Sequence, residues 1–434
     1  MKWKSDFDKY VITVSCESRG WAKTTSDDEW NIFWANTQSV RHLFNPDTGK
    51  RLREDQILNH FPNHYELTRK DLMVKNLKRY RREKERELQF LLKDNQREKE
   101  MGTTGEATST FGGRNLSCPE DRGFLDFVPA SYLLPTDYSL FLEEYRKNPT
   151  ATWIMKPANK AQGRGIFLVS RLGQLKKWSK LHNSKNPFQA IPMREPYIIS
   201  RYIERPFLVG GKKFDLRLYV LVTSYRPLKV YLFREGFARF CTENYTRDVV
   251  DFENLMMHLT NVAVQKHAED YNETHGGKWS LDNLRLFLES CRGKEKTDKL
   301  FENILVIVVA SLKAVQSVMI NDKHCFECYG YDVLIDSQLK PWLVEVNASP
   351  SLSTTTEEDR LLKTRLISDI LAVVVPPSLD EGFLKIGASW NQARHVGGLD
   401  LIVDEGNPSS APFDSDLLTR RGVSRTGRQT PFLR

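Results

Sequence analysis

The sequence is poor in cysteine and has no long apolar run. Its 434 residues contain six cysteines, too few for a disulfide framework, so a reducing, cytoplasmic setting is expected. The most apolar stretch is Asn303–Leu312 (NILVIVVASL), and it is about half as long as the roughly 20 residues of a membrane span. The sequence therefore predicts a buried helix there. The N-terminal residues MKWKSDFDKY have no apolar core, so no secretory signal is expected.

Several common catalytic motifs are also missing. The sequence contains no Walker A, GxGxxG, GxSxG or HExxH motif and no internal repeat, which argues against P-loop, Rossmann, serine-hydrolase and zinc-protease chemistry. Cys325 and Cys328 form a single CxxC without a second pair, and His60 and His64 lack the rest of a zinc signature. Buried thiols and ordinary histidines are therefore favoured over zinc ligands.

Composition and charge describe a soluble, basic protein. Hydrophobic residues make up 40% and charged residues 28%, and the length favours two or three domains. The 64 Lys and Arg against 56 Asp and Glu leave a net charge of +8. An anionic partner is expected: nucleic acid, a phosphorylated ligand or an acidic protein surface.

The positive charge is concentrated in one predicted helix that begins at Thr68. Leu72, Val74, Leu77 and Tyr80 recur at helical spacing and predict one buried face. Residues 69–86 hold nine Lys or Arg against three Asp or Glu. This segment is either a solvated helix face or a docking surface for an anion.

A carboxylate pair is the first candidate for chemistry. In YDVLIDSQLKPWLVEVN, strand alternation puts Glu345 and Asn347 on one face. A turn near residues 338–339 would place Asp332 opposite Glu345. Two carboxylates and an amide oxygen suit Mg²⁺, and acids in apolar runs are costly unless they coordinate something. The alternative is a pair of exposed strand acids.

Cationic positions upstream suggest a phosphate site. Lys156 ends the strand WIMKP, and Gly163 and Gly165 would let backbone N–H groups approach a nucleotide. In KFDLR, Lys213 and Asp215 share a face with Arg217, which suits phosphates and a metal or ribose. An ordinary glycine loop and a cross-strand ion-pair ladder are the alternatives.

A third group of residues is suited to a carboxylate substrate. Arg239, Lys278 and the pair Thr260–Asn261 would serve as anchors beside a metal–phosphate site, Arg in bidentate fashion. Solvated surface charges and a helix cap are the alternatives.

Taken together, these motifs resemble the tubulin tyrosine ligase-like family, and within it the glutamylating members. The resemblance covers roughly residues 19–375 and rests on several motifs in order: NHFPNHYELTRKDLMVKNLKRYRR, WIMKP…QGRGI, GGKKFDLRLYVLV, REGFARF, HLTNVAVQKH and GYDVLIDSQLKPWLVEVNASPSL. It implies a mixed α/β ATP-grasp fold, in which two lobes close on ATP. Composition along the chain suggests an N-terminal domain with the basic helix (1–93), a flexible linker or insertion (94–123) and a largely disordered tail (376–434). The two lobes would be a central lobe (124–212) and a C-terminal lobe (213–375) that holds the Mg²⁺ and amino-acid sites.

The resemblance also implies residue roles. Lys156 and Lys213 would contact ATP phosphates, and Arg239 and Lys278, with Thr260 and Asn261 nearby, would hold free glutamate. Mg²⁺ would bind Asp332, Glu345 and Asn347. The remaining nucleotide contacts would come from Gln162, Gly163, Ser200, Arg201, Tyr202, Ile203 and Asp215. Gln162 also matches a family position that bears on whether a glutamate branch is started or extended.

The implied function is ATP-dependent addition of glutamate to glutamate side chains of tubulin tails through an acyl-phosphate. Arg239 and Lys278 favour an amino acid with an extra carboxylate over glycine. A glycine or tyrosine ligase of the same fold, or a non-catalytic cytoskeletal scaffold, are the alternatives. The family implies microtubules and other polyglutamylase subunits as partners, with neither nucleic acid nor a membrane, and a cytoskeletal location that includes cilia and basal bodies.

Overall fold

Strands and helices alternate along the chain. The computed structural model describes residues 1–100, 125–160, 162–175, 196–248, 254–268, 277–375 and 394–407, and of residues 91–100 the backbone alone. The strands are β1 (Lys2–Ser5), β2 (Ala22–Lys23), β3 (Ile32–Trp34), β4 (Ile57–Leu58), β5 (Ser131–Leu134), β6 (Trp153–Pro157), β7 (Phe167–Val169), β8 (Tyr197–Arg201), β9 (Leu208–Val209), β10 (Lys212–Tyr225), β11 (Leu228–Phe233), β12 (Phe237–Asn244), β13 (Lys278–Ser280), β14 (Glu327–Ile335), β15 (Pro341–Asn347), β16 (His395–Val396) and β17 (Leu399–Asp404).

The helices cover the faces of the sheets. They are α1 (Tyr10–Glu17), α2 (Thr37–Leu43), α3 (Tyr65–Thr68), α4 (Lys70–Glu100), α5 (Tyr138–Lys147), α6 (Leu255–His258), α7 (Val262–Gln265), α8 (Leu281–Arg292), α9 (Lys294–Gln316) and α10 (Glu357–Val374). Among the described residues, no helix combines the length and apolarity needed to cross a membrane. The apolar run at 303–312 lies inside α9 and is buried from Ile304 onward, as predicted.

Three sheets organise the chain. A parallel N-terminal sheet has the order β2-β1-β3-β4, and an antiparallel central sheet has the order β5-β8-β6-β7. The main sheet is built around β10, which pairs with β11 and β12 on one side and with β14 on the other, while β15 pairs with β14. The described residues therefore form a mixed α/β fold.

The long strand β10 places the site by alternation. Leu216, Leu218, Val220 and Val222 point to one face, where they join a core with α4, α8 and α9. On the opposite face, Tyr219 and Leu221 pack with α1 and α10, whereas Lys213, Asp215 and Arg217 continue that face as a polar stretch. The switch from polar to apolar side chains along one face marks where the covering helices end and a cleft begins.

Some predicted boundaries change. Residues 228–240 form two strands, because β11 ends at Phe233 and β12 begins at Phe237. The helix predicted from Thr68 begins at Lys70, and its buried side chains are Met73, Asn76, Leu77 and Tyr80, with Leu72 and Val74 only half-buried. It continues to Glu100, into the predicted linker, whose remaining residues 101–123 lie outside the described part.

The C-terminal segment was predicted as largely disordered, and this is wrong for residues 394–407. β17 pairs antiparallel with β11, and Leu399, Leu401, Ile402 and Val403 are buried. A six-residue strand with glycines before and after it gives a weak local signal, and its stability comes from the neighbouring strand. Residues 376–393 and 408–434 lie outside the described part.

Candidate active site

A cleft between the central and main sheets collects most of the predicted site residues. Its lining includes Lys156, Gln162, Gly163, Ser200, Arg201, Tyr202, Ile203, Lys213, Asp215, Thr260, Asn261, Asp332 and Glu345. Arg239, Lys278 and Asn347 lie outside this lining. Arg239 and Asn347 contact carboxylates that belong to it, whereas Lys278 contacts Asp359 and Thr355, which do not.

A row of charged side chains crosses five neighbouring strands of the main sheet. On one side of β10, Lys278 is the register partner of Arg239, and Arg239 is the partner of Asp215. On the other side, Arg217 faces Asp332, and Asp332 faces Glu345. Directly opposite residues point to the same face, so these side chains share one face of the sheet. The row begins with two cations, Lys278 and Arg239, and ends with two carboxylates, Asp332 and Glu345. Asp215 and Arg217 lie between these ends. The predicted opposition of Asp332 and Glu345 is confirmed.

Each carboxylate of the row is held by a cation. Arg217 donates two hydrogen bonds to Asp332, with Nε to Oδ1 at 2.6 Å and NH2 to Oδ2 at 3.1 Å. Arg239 spans two acids: it lies 2.9 Å from Asp332 Oδ2 and donates to both Asp215 oxygens at 2.8 and 2.5 Å. Burial raises the pKa of Asp215, and Arg239 offsets part of that rise.

Glu345 has a partner from a distant element. Lys70, the first residue of α4, places its Nζ 2.8 Å from Glu345 Oε2. Burial alone would raise the pKa of Glu345, but Lys70 and, less strongly, Lys156 outweigh burial and hold it well below its usual range. Asn347 Nδ2 donates to Asp332 Oδ2 at 3.4 Å and to Glu345 Oε1 at 3.3 Å, so the three predicted metal ligands are adjacent.

The donor set at this end of the cleft fits a hard divalent cation. Two carboxylates and an amide converge, and Mg²⁺ is usually bound by one or two carboxylates together with substrate phosphates. The described residues contain no group of three or more His, Cys, Asp or Glu side chains suited to a metal ion. A cation here would therefore need further ligands from a bound substrate, as phosphate oxygens provide.

Two lysines face the same space, Lys213 buried and Lys156 half-buried. Burial lowers the pKa of Lys156 to about 8, and the structure gives its ammonium no hydrogen bond or ion pair among the described residues. Burial also lowers the pKa of Lys213, whose Nζ donates to the Tyr202 hydroxyl at 3.0 Å and to the His258 carbonyl at 2.7 Å. Cations that are poorly compensated by the protein favour an anionic ligand such as a phosphate.

The glycine loop closes one side of the cleft. Gln162, Gly163 and Gly165 all have positive φ, at 62°, 76° and 73°. A Cβ on Gly163 would lie 2.9 Å from Val264 Cγ2 and 3.4 Å from Asn261 Oδ1. Only glycine therefore allows this loop to pack so closely against the segment that carries Asn261.

Next to the lysines, the cleft has an apolar pocket. Ile154, Leu168, Tyr202 and Leu259 form a small cluster beside the segment 200–203 that follows β8. Ser200 is tied to Ser131 by a hydroxyl pair at 2.7 Å, which fixes the end of the strand. An apolar cluster beside cations suits the two halves of a nucleotide, the base and the phosphates.

The far end of the charged row carries a second set of cations. Lys278 Nζ lies 3.1 Å from Asp359 Oδ2 and 3.3 Å from the Thr355 hydroxyl. Asp359 also binds Lys363 at 3.0 Å, and burial lowers the pKa of Lys363 to about 8. Two lysines share one buried aspartate, so this end has an excess of positive charge that suits a carboxylate ligand.

Sequence reasoning missed several of these residues. Lys70 was grouped with the surface cations of the basic helix, although its position at the first turn directs it into the cleft. Asp359 and Lys363, spaced i and i+4 on α10, were not recognised at all. The i,i+4 spacing was a usable signal, but its link to Lys278 depends on long-range packing.

Comparison with known proteins assigns the family. Residues 50–382 match the tubulin-tyrosine ligase family, which covers most of the chain, so the chain belongs to that family. The predicted family, its ATP-grasp fold and the predicted class of enzyme, a ligase, are thereby confirmed. The family is ATP-dependent, in agreement with a cleft that places lysines beside an apolar cluster.

The relatives are similar over nearly the whole chain. A probable alpha-tubulin polyglutamylase Ttll1 of Tetrahymena thermophila is 50% identical, with 93% of each chain covered. A probable tubulin polyglutamylase TTLL9 of Bos taurus is 39% identical over 96% of this chain and 87% of its own length. The tubulin polyglutamylase TTLL5 of Homo sapiens is 35% identical over 80% of this chain and 24% of its own length.

Proposed function

We propose that this protein is an ATP-dependent ligase that adds glutamate to glutamate side chains in the acidic tails of tubulin. The observation that carries the proposal is the charged row in the cleft, which places a carboxylate pair beside lysines at one end and an excess of cations at the other. The relatives that are named polyglutamylases support the same reaction.

The nucleotide half of the site follows from charge and shape. Lys156 and Lys213 would neutralise phosphate oxygens, and the segment 200–203 with its apolar neighbours would hold the base. Gln162 and Gly163 would close over the nucleotide, with Asp215 facing it. When bound with Mg²⁺, ATP supplies the phosphoryl group that turns an unreactive carboxylate into an acyl-phosphate.

The metal would be held by Asp332, Glu345 and the amide oxygen of Asn347. In this structure Lys70 forms an ion pair with Glu345 and compensates the charge of its carboxylate. The buried guanidinium groups of Arg217 and Arg239 compensate the Asp215 and Asp332 carboxylates. They would thereby limit the repulsion between these acids and the negative charge that develops on a transferring phosphoryl group.

The amino-acid half would lie at the other end of the row. Arg239 and Lys278 would bind the carboxylates of free glutamate, with Thr260 and Asn261 beside them. This arrangement would direct the α-amino group toward the activated carboxyl, and a bond would form with loss of phosphate. No protein nucleophile is needed, because positioning and electrostatics supply the catalysis.

The substrate and its location belong to the proposal as well. Acidic tubulin tails complement a chain of net charge +8, and cations of α4 are suited to contact them. We further propose that other polyglutamylase subunits accompany this chain, and that it acts at cytoskeletal microtubules, including those of cilia or basal bodies.

Incorporation of labelled amino acids into purified microtubules tests the proposal. The assay contains ATP and Mg²⁺ and uses both the isolated protein and the protein recovered with its cellular partners. Glutamate incorporation in either preparation is expected, and incorporation with partners alone would make this chain a catalytic subunit. Preferential incorporation of glycine or tyrosine, or nucleotide binding without any ligation, would overturn the assignment.

A further inference from the structure

A buried histidine–carboxylate pair lies outside the residues that the proposed reaction uses. His60 and Glu327 are 1% and 0% exposed. His60 Nδ1 lies 2.5 Å from Glu327 Oε1, and Glu327 Oε2 accepts a hydrogen bond from the Phe61 backbone at 2.9 Å. Burying two such groups is costly unless they are paired, and an apolar pair of similar volume would serve stability as well. Stability alone therefore does not explain why this pair is buried at this place in the fold.

The second ring nitrogen of His60, Nε2, faces the loop that follows β15. His60 Nε2 lies 3.3 Å from the hydroxyl of Ser349, which follows Asn347 by two residues. In the tautomer that donates Nδ1–H to Glu327, Nε2 accepts from the Ser349 hydroxyl. A hydrogen-bonded chain thus runs from the start of β14 through the N-terminal region to the loop after β15.

A second contact holds the same loop. Gly330 on β14 is the register partner of Asn347, and a Cβ there would lie 2.9 Å from Pro350 Cβ. The Ser349–Pro350 turn is thus packed onto β14 by Pro350 and hydrogen-bonded by His60. Since Asn347 is two residues away, a shift of this turn would move its amide.

We propose that His60, oriented by Glu327, is a positioning residue that fixes the Asn347 amide for the metal by holding Ser349. The inference rests on the proposed function, because it assumes that Asn347 binds Mg²⁺ beside ATP. Partners that orient a metal ligand without touching the metal change metal affinity or activity by about 10- to 100-fold when they are removed. The link here passes through a loop, so an effect near the lower end, about tenfold, is expected.

Ser349→Ala is the first test, because Ser349 is exposed and its replacement should leave the fold intact. Binding of a fluorescent ATP analogue is titrated with and without Mg²⁺. Ser349→Ala should raise the Mg²⁺ concentration needed for half-maximal binding about tenfold and leave Mg²⁺-free binding unchanged. Ser349→Thr keeps the hydroxyl and should restore the wild-type value. Ser351→Ala, an exposed serine in the same loop without a contact to His60, is the matched control.

His60→Gln tests the buried end of the chain. It should give the same Mg²⁺ shift, and the double variant with Ser349→Ala should shift no further than either single variant, because both act through one contact. His64→Ala controls for loss of a neighbouring histidine, since His64 bonds to Thr68 instead. Wild-type Mg²⁺ dependence in Ser349→Ala would overturn the inference alone. Absence of ATP binding by the wild-type protein would overturn the proposed function with it.

Discussion

At the scale of single residues, the cleft shows how the chain keeps carboxylates ionised away from water. Asp332 is 1% exposed and is compensated by Arg217 and Arg239, while Glu345 is compensated by Lys70. Removing one member of such a set leaves an uncompensated buried charge. This lowers the stability of the fold by more than the ion pair contributes to it. A substitution that tests this row should therefore keep the shape of the side chain and change only its charge.

Glu345→Gln preserves shape and removes the charge. It should abolish ligation, a loss of at least about 100-fold, because a neutral amide binds Mg²⁺ poorly and Lys70 loses its partner. Circular dichroism and thermal melting should show a folded protein. Glu235→Gln is the control, since Glu235 pairs with Arg365 at the surface and should retain full activity. Normal ligation by Glu345→Gln would remove Glu345 from the metal site.

Lys156 gives the site a pH dependence. Burial lowers its pKa to about 8, and the ammonium form is the one that attracts phosphate. That form is present below pH 8 and is lost as pH rises through this value, so kcat/KM for ATP should fall on the alkaline side. Lys156→Arg remains charged and should move the fall to higher pH, whereas Lys156→Met should weaken ATP use at every pH. An unchanged alkaline limb in Lys156→Arg would assign the titration to another group.

What the sequence could predict at this scale follows from local periodicity. Two-residue alternation placed Glu345 with Asn347, and the short turn placed Asp332 opposite Glu345. The contact between Lys70 and Glu345 could not be predicted in this way. The two residues are 275 positions apart in the sequence (345 minus 70), so no local pattern connects them. The ion pairs that Arg217 and Arg239 make with Asp332 also depend on strand order, which no local pattern specifies.

At the scale of elements, helix α4 divides its cations among different tasks. Lys70 enters the cleft, Lys78 donates to the Ser131 carbonyl at 2.6 Å, and Arg79 donates to the Ala314 carbonyl at 2.9 Å. Lys75, Arg82 and Arg86 are exposed and have no hydrogen bond or ion pair among the described residues. Their spacing of seven and four residues puts them on one face, so they form the part of the helix that is available to an acidic tail.

Replacing this cationic face should weaken tubulin binding selectively. In Lys75→Ser/Arg82→Ser/Arg86→Ser, three exposed charges at roughly 0.5 kcal/mol each would weaken tail binding by about tenfold at low salt. ATP affinity should stay within about twofold, and the difference should shrink at high salt, where screening shortens to a few ångströms. Co-sedimentation with microtubules and nucleotide titration measure the two affinities.

A matched charge deletion separates local docking from net charge. Lys294→Ser/Lys296→Ser/Lys299→Ser removes three exposed cations from the start of α9 and changes the net charge equally. It should bind microtubules nearly as well as the wild-type protein. Equal losses in both triple variants would make the exposed face of α4 an ordinary solvated surface.

At the scale of the whole molecule, the N-terminal region does not have a core of its own. Trp30, Leu58 and Phe61 belong to the same buried cluster as Leu216 and Val333 of the main sheet. Leu58 bridges to Cys325, just before β14, and Phe61 packs edge-on to Tyr225 at 5.1 Å between ring centroids. The central lobe differs, because Phe141, Trp153 and their neighbours form a separate cluster. Composition suggested an N-terminal domain, but shared burial cannot be read from composition.

Phe61→Ala tests this shared core, because Phe61 is 0% exposed. The substitution should lower the free energy of unfolding by about 3–5 kcal/mol. If the N-terminal and main sheets open together, hydrogen exchange of β3 and β14 should accelerate by the same factor, while β6 of the central sheet, with its separate core, should change little. Phe90→Ala is the matched control, since Phe90 is 65% exposed and its truncation should cost less than about 0.5 kcal/mol. Acceleration confined to β3 would show that the N-terminal sheet opens independently, and His60 would then sit in a region that can detach from the site.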